Sequence, residues 1–200
     1  MRENNTIKTI TLPAVFAALG LVLPFVTAQV PAIGNMLLPM HIPVLLTGIV
    51  SGWKYGLMIG FALPLARSFL FGSPPIYPIG VSMAFELATY GAVIGFLYNF
   101  KSLKTESNVI HPVEFNSPLK KPTIYMFKHP YNIYFSLITA MIAGRIVWGG
   151  VTMFLFNRLG WDFTFQIFMM GAFFNAIPGL ILQIILIPFL TILLKKRRIL

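Results

Sequence analysis

The sequence predicts an all-α membrane protein, a six-transmembrane-helix bundle with both the N- and C-termini cytoplasmic. Of the 200 residues, 57% are hydrophobic and only 10% are charged, and the mean hydropathy is +0.81. A soluble domain has about a quarter of its residues charged, so this chain has too little polar surface for one. The apolar residues form six runs, and most basic residues lie between alternate runs. These three observations indicate one integral membrane domain over residues 1–200.

The predicted spans begin and end at turn residues or charges. We interpret the first span as a helix of the mature protein rather than a cleaved signal peptide, because further spans follow it. The second is short, and the turn SGWKYG separates it from the third. The loop GSPPIYP precedes the fourth span, a basic loop over residues 100–131 precedes the fifth, and NRLGWD precedes the sixth. The six spans cover residues 7–28, 38–51, 55–71, 79–100, 131–156 and 163–194.

Helices are the expected element, because a chain in lipid must satisfy its backbone hydrogen bonds within each segment or in a closed barrel. The runs lack the alternation of barrel strands. Small residues recur at every fourth position, a spacing that allows close helix packing. These residues are Gly48, Gly52, Gly56 and Gly60 in one series and Gly91 and Gly95 in another.

The basic residues predict the orientation. With the N-terminus inside, the inner segments hold 12 of the 15 Lys and Arg residues, and the outer loops hold only Arg158. Arg67 and Arg145 lie within spans. This asymmetry follows the positive-inside rule, and it explains the formal charge of +10 without a nucleic-acid partner.

Polar residues within the spans concentrate in the predicted outer half. At 1.5 Å per residue, His41, Arg67, Glu86, Arg145 and Asn175 all fall between the outer surface and the midplane. A charge in hydrocarbon nearly always faces a cavity or a partner. The pattern therefore predicts a polar chamber that opens to the outside.

One cation in this chamber would be unpaired, because Glu86 can pair with only one of Arg67 and Arg145. A surplus buried cation favours an anionic ligand, most simply a carboxylate, which arginine holds with two hydrogen bonds. In the alternative, Arg67 extends its charge to the outer surface and Glu86 and Arg145 form a structural pair.

Uncharged residues add further candidates. Trp148 follows Arg145 by one helical turn and could stack on a ligand or simply pack. Tyr90 follows Glu86 by one turn and shares its face. Asn175 is favoured over Gln183 because it lies nearer the outside, and His41 is either a site residue or a cap of a short helix.

The chain lacks the motifs of common enzymes. There is no GxxxxGK[ST] phosphate loop, no HExxH pair and no GxSxG elbow. There is also no cysteine, which excludes disulfides and thiolate metal sites. We therefore expect no enzyme activity, no metal site and no cofactor in this chain.

Three stretches make the sequence recognisable: LLPMHIPVLLTG, GWKYGLMIGFALPLARSFLFGSPPIYP and MAFELATYGAVIGFLY. They resemble the substrate-binding S component of bacterial energy-coupling factor (ECF) vitamin transporters. The resemblance covers nearly the whole chain, including the Glu-bearing fourth span. Family members carry an AxxxA pattern in the first span that docks on a coupling subunit, and Ala14 and Ala18 supply it here. The basic loop is longer than the short turns expected of the family.

The resemblance implies a multi-pass protein of the bacterial cell membrane that binds a water-soluble vitamin from outside. The site would be covered on its outer side by three loops. These are the first loop, which includes Asn35, and the loops after the third and fifth spans. A coupling membrane subunit and two ATPase subunits would complete the importer, with ATP used by the ATPases. The implied substrate-binding set is Asn35, His41, Arg67, Glu86, Tyr90, Arg145, Trp148 and Asn175.

Two other functions remain open from the sequence. One is a stand-alone secondary transporter with Glu86 as the proton-coupling carboxylate, and the other is a membrane enzyme or assembly protein without a ligand. The surplus cation favours a vitamin or precursor with a carboxylate, such as pantothenate. Folate, a pyridine or pyrimidine precursor and a queuosine precursor are the alternatives.

Overall fold

The computed structural model describes residues 2–27, 37–107, 130–162, 164–172 and 174–196. Within these ranges the regular structure is entirely helical, which confirms the predicted all-α class. There are seven α-helices, a short π-helical segment and one 3₁₀ turn in the described part. The α-helices are α1 (Arg2–Thr27), α2 (His41–Ser51), α3 (Trp53–Phe71), α4 (Val81–Ser107), α5 (Pro130–Arg158), α6 (Phe165–Ala172) and α7 (Ile177–Lys196).

Two predicted spans differ from the observed helices. The fourth is preceded by the π-helical segment Ile76–Gly80, and α4 continues to Ser107, into the polar stretch assigned to the basic loop. The sixth is divided into α6 and α7 by the 3₁₀ turn Phe174–Ala176. Pro178 lies in the first turn of α7, where a missing backbone N–H costs nothing, so a new helix can begin there.

Three helical segments of the described residues are long and apolar enough to cross a membrane: Ile76–Tyr98, Ile133–Arg158 and Phe165–Lys196. Two shorter apolar helical segments are Ile10–Val26 and His41–Ser51. Large apolar side chains such as Phe69 and Ile185 are exposed on the outside of the bundle. The chain therefore has the features of a membrane protein, while the count of six spans and the cytoplasmic ends stay predictions.

Helix α4 is central and packs against α2, α3 and α5. The predicted glycine series explains how it approaches α2 and α3. A Cβ atom on Gly48 would lie 2.5 Å from the carbonyl oxygen of Gly91. A Cβ atom on Gly56 would clash with the carbonyl group of Gly91, and a Cβ atom on Gly91 would clash with that of Gly56. The three helices thus meet through backbone, as close packing of small residues in membranes allows.

The junction of α2 and α3 also depends on glycine. Gly52 separates the two helices with φ 88°, a conformation that side chains disfavour and glycine adopts readily. The chain reverses there within one residue, so α2 and α3 run side by side against α4. This arrangement carries His41, at the start of α2, to the same level as Glu86 on α4.

Candidate functional site

Three ionisable side chains from three helices meet inside the bundle. Arg145 Nη1 lies 3.0 Å from Glu86 Oε1, and His41 Nε2 lies 3.4 Å from the same oxygen. The exposed fractions are 2% for Glu86, 4% for Arg145 and 1% for His41. Glu86 is therefore held on α4 between α5 and α2, and the structure brings these three of the predicted site residues together.

Tyr90 completes this buried cluster, which we call the Glu86 cluster: His41, Glu86, Tyr90 and Arg145. Its ring meets the His41 ring edge-on, with centroids 5.0 Å apart. Gly144 makes room for it, because a Cβ atom there would lie 2.5 Å from the Tyr90 ring. The glycine before Arg145 thus allows α5 to approach α4 closely enough for the ion pair to form.

The Glu86 cluster contains more hydrogen-bonding groups than it uses. Arg145 Nε and Nη2, His41 Nδ1 and the Tyr90 hydroxyl are buried without a hydrogen-bond partner. The Tyr90 hydroxyl lies within reach of a side-chain hydrogen bond with Arg145, although no hydrogen bond of strict geometry joins the two. Buried polar groups are nearly always paired, and Tyr90 is the partner that the cluster itself offers to Arg145.

A cavity of about 680 Å³ lies between the start of α4, the second half of α5 and α6. Trp148 and Asn175, two predicted site residues, line it. The Trp148 ring stacks with Phe168 at a centroid distance of 6.4 Å. None of the residues that line the cavity is charged. It is therefore a largely apolar space with a few neutral polar groups, the usual character of a small-molecule site.

The Glu86 cluster lies next to this cavity along two helices. Ser82 lines the cavity one turn before Glu86 on α4, and Trp148 and Thr152 line it after Arg145 on α5. Spacings of three, four and seven residues place side chains on one helix face. At 1.5 Å per residue, Glu86 lies about 6 Å along α4 from Ser82. None of the four residues of the Glu86 cluster lines the cavity itself, so the cluster and the cavity are neighbours along α4 and α5 rather than one shared chamber.

Arg67 has a different position. Its Nη1 donates a hydrogen bond to the Leu21 carbonyl oxygen at 3.0 Å, and its guanidinium lies 4.8 Å from the Phe25 ring centroid and 5.8 Å from that of Phe71. Arg67 does not line the cavity. It joins α3 to α1 near Pro24, a position at which the helix lacks a backbone donor.

The remaining predicted residues fall in two places. Asn35 lies outside the described residues. Ala14 and Ala18 are exposed on α1, on a face that α2 and α3 leave uncovered. The described residues contain no group of three His, Cys, Asp or Glu side chains that could hold a metal ion.

Sequence reasoning missed several neutral polar residues. Ser82, Thr152 and Gln166 line the cavity, and the hydroxyl of Thr152 is buried without a partner. Gln183, which the sequence ranked below Asn175, is fully buried, and neither atom of its amide has a partner among the described residues. The spacing of Ser82 from Glu86 and of Thr152 from Arg145 is the signal that could have identified the first two.

Comparison with known protein families gives a match that covers most of the chain. The family model described as "ECF transporter, substrate-specific component" matches residues 8–191, which include all seven α-helices in whole or in part. No curated protein and no solved structure was found to match the chain.

Proposed function

Because the chain belongs to the family of ECF transporter substrate-specific components, we propose that it binds a water-soluble vitamin or related micronutrient for an ATP-dependent importer. Proteins of this family are transporter subunits rather than enzymes. The observation that carries the proposal is the cavity of about 680 Å³ that Trp148 and Asn175 line. Its size and its mainly apolar lining with a few neutral polar groups are those of a small-molecule site.

In this proposal the chain is a bacterial cell-membrane protein, and it works with a coupling membrane subunit and two ATPase subunits that use ATP. The sequence has no phosphate loop, so the energy must come from other chains. Ala14 and Ala18 support a docking role for α1, because small exposed residues let a second helix approach closely.

The test is reconstitution of the purified full chain in liposomes, with and without its cognate coupling subunit and ATPases. We expect the chain alone to retain a bound small molecule but not to accumulate it, and we expect ATP-dependent uptake when the partners are present. Uptake by the chain alone that a protonophore abolishes would contradict the proposal and favour a secondary transporter with Glu86 as the coupling group.

We expect replacement of Trp148 by alanine to weaken ligand binding by about 1–3 kcal/mol, the range for a ring stacked on an aromatic side chain. The measurement is the amount of small molecule that co-purifies per chain after a fixed period of dialysis. Trp53→Ala is the matched control, because Trp53 is 45% exposed and does not line the cavity. Equal retention by the Trp148 and Trp53 variants would remove Trp148 from the site.

We expect Ala14→Leu to leave ligand retention unchanged and to reduce ATP-driven uptake at least about tenfold, because a leucine would hold the partner helix away from α1. Ala62→Leu is the control, since Ala62 is also exposed but lies on α3. Normal uptake by the Ala14 variant would show that the coupling subunit docks elsewhere.

A further inference from the structure

The cavity is lined by aromatic rings and neutral polar residues. Trp148, Thr152 and Phe156 follow one another at intervals of four residues, so they line it as a single face of α5. Across from them, Gln166 on α6 and Asn175 in the 3₁₀ turn are its two amide-bearing residues. An amide has hydrogen-bond donors and an acceptor but no charge. The lining therefore offers hydrogen bonds and ring contacts, and none of its residues offers an ionic contact.

The buried ionised side chains of the described residues already have partners away from the cavity. Glu86 Oε1 and Arg145 Nη1 are paired at 3.0 Å, and neither residue lines the cavity. Arg67 donates a hydrogen bond to the Leu21 carbonyl oxygen and lies against the Phe25 ring. Each of these charges is thus balanced by another charge or held against α1.

The charges that follow α5 do not supply a partner for a charged substrate either. Arg158 comes two residues after Phe156, on the opposite side of the helix, and its guanidinium carbon lies 5.5 Å from the Phe154 ring centroid. Phe154 is exposed on the outside of the bundle. Asp162, which is also exposed, brings the opposite charge to the same loop.

The sequence adds no further charge on this side of the membrane. Residues 28–36, 163 and 173 lie outside the described ranges and contain no Asp, Glu, Lys, Arg or His. The other such residues belong to the chain ends and the basic loop, which the positive-inside rule assigns to the opposite side. A charged substrate in the cavity would therefore lack a balancing group, and an unbalanced charge away from water is costly.

We propose that the substrate is uncharged, and that the amides of Gln166 and Asn175 and the rings of Trp148 and Phe156 recognise it without an ionic contact. This inference rests on the proposed function, since it names the class of substrate for the same cavity. It replaces the carboxylate that the sequence favoured, because Arg67, one of the two cations on which that expectation depended, is bound to α1. The substrate class has a flat apolar face and hydrogen-bonding groups, without a carboxylate, phosphate or ammonium group.

The first measurement is the charge of the bound molecule. The full chain is purified in detergent, and its small molecule is extracted and passed over anion- and cation-exchange resins at neutral pH before mass spectrometry. We expect the compound to pass both resins unbound. Two pairs of probes at about 1 mM are also compared in thermal unfolding: nicotinamide with nicotinate, and panthenol with pantothenate. We expect neither carboxylate to stabilise the protein more than its uncharged counterpart.

Substitutions test the contacts. Asn175→Asp and Gln166→Glu keep the shape of the amide but exchange its NH₂ donor for a charge, and we expect each to retain at least about tenfold less ligand. Asn157→Asp is the matched control, because Asn157 is also exposed but does not line the cavity. Arg158→Gln removes the cation of the outer loop, and we expect it to retain as much ligand as the wild type. Retention by the wild type should be equal in about 0.05 M and about 0.5 M NaCl, because salt screens ionic contacts.

The outcomes separate this inference from the proposed function. A carboxylic acid, a phosphate ester or an amine in the wild-type extract would overturn the inference and leave the importer subunit standing. Stronger stabilisation by a carboxylate probe, or loss of ligand in Arg158→Gln, would do the same. Full retention in folded Asn175→Asp and Gln166→Glu proteins would overturn the proposed contacts. If a variant fails to fold, the charge of the wild-type ligand still decides the chemical class. An extract without any compound, together with no stabilisation by any of the four probes, would contradict the proposed function and the inference with it.

Discussion

Replacement of Glu86 by alanine is expected to destabilise the ligand-free protein by about 3–5 kcal/mol, the cost of leaving a buried charge without its partner. Arg145 would keep its charge at 4% exposure and lose the carboxylate that contacts it. His41 would lose the same partner. Thermal or denaturant unfolding in detergent measures the effect.

The control for this prediction removes both charges. Glu86→Ala combined with Arg145→Met should recover most of the lost stability, because an apolar pair can replace a buried ion pair at little cost. The two single variants and the double variant form a cycle that isolates the coupling between the residues. A Glu86→Ala protein as stable as the wild type would mean that the ion pair does not hold α4 to α5.

Replacement of Gly91 by alanine should destabilise the bundle by about 3 kcal/mol, the upper part of the usual range for overpacking. The added methyl group would meet the backbone of Gly56, and two backbones cannot give way as a flexible side chain can. Helices α3 and α4 would have to separate. Unfolding in detergent and the yield of monodisperse protein are the measurements.

Gly150 is the matched control for Gly91. It also lies within a long helix, α5, but a Cβ atom there would meet nothing within 4 Å. Gly150→Ala should therefore be neutral or slightly stabilising, since alanine is the better helix former by about 1 kcal/mol. Equal effects of the two substitutions would show that helix propensity rather than close approach governs both positions.

The sequence predicted the helical class, and it placed Glu86, Arg145 and His41 at similar depths among its candidate residues, because both results follow from simple costs. Apolar runs must satisfy their own backbone in lipid, and buried ions at similar depths must find partners. Glu86, Arg145 and His41 met that expectation. Gly48, Gly56 and Gly91 also packed as their spacing predicted.

The place of Arg67 could not be read from the sequence, because depth alone does not say which face of a helix a residue occupies. Its acceptor is a backbone carbonyl, that of Leu21, and a carbonyl has no signature in a sequence. The cavity was missed in part for a similar reason. Ser82, Thr152 and Gln166 are common, uncharged residues, and only the packing of α4, α5 and α6 gives them a shared space.

The division of the sixth span has a mechanical consequence. Helix α6 carries Gln166, Met170 and Gly171 at the wall of the cavity, whereas α7 carries buried residues such as Gln183 and Ile187. Each helix has its own backbone hydrogen bonds, so a substitution that disturbs the cavity wall on α6 need not disturb the hydrogen bonds that hold α7 in the bundle.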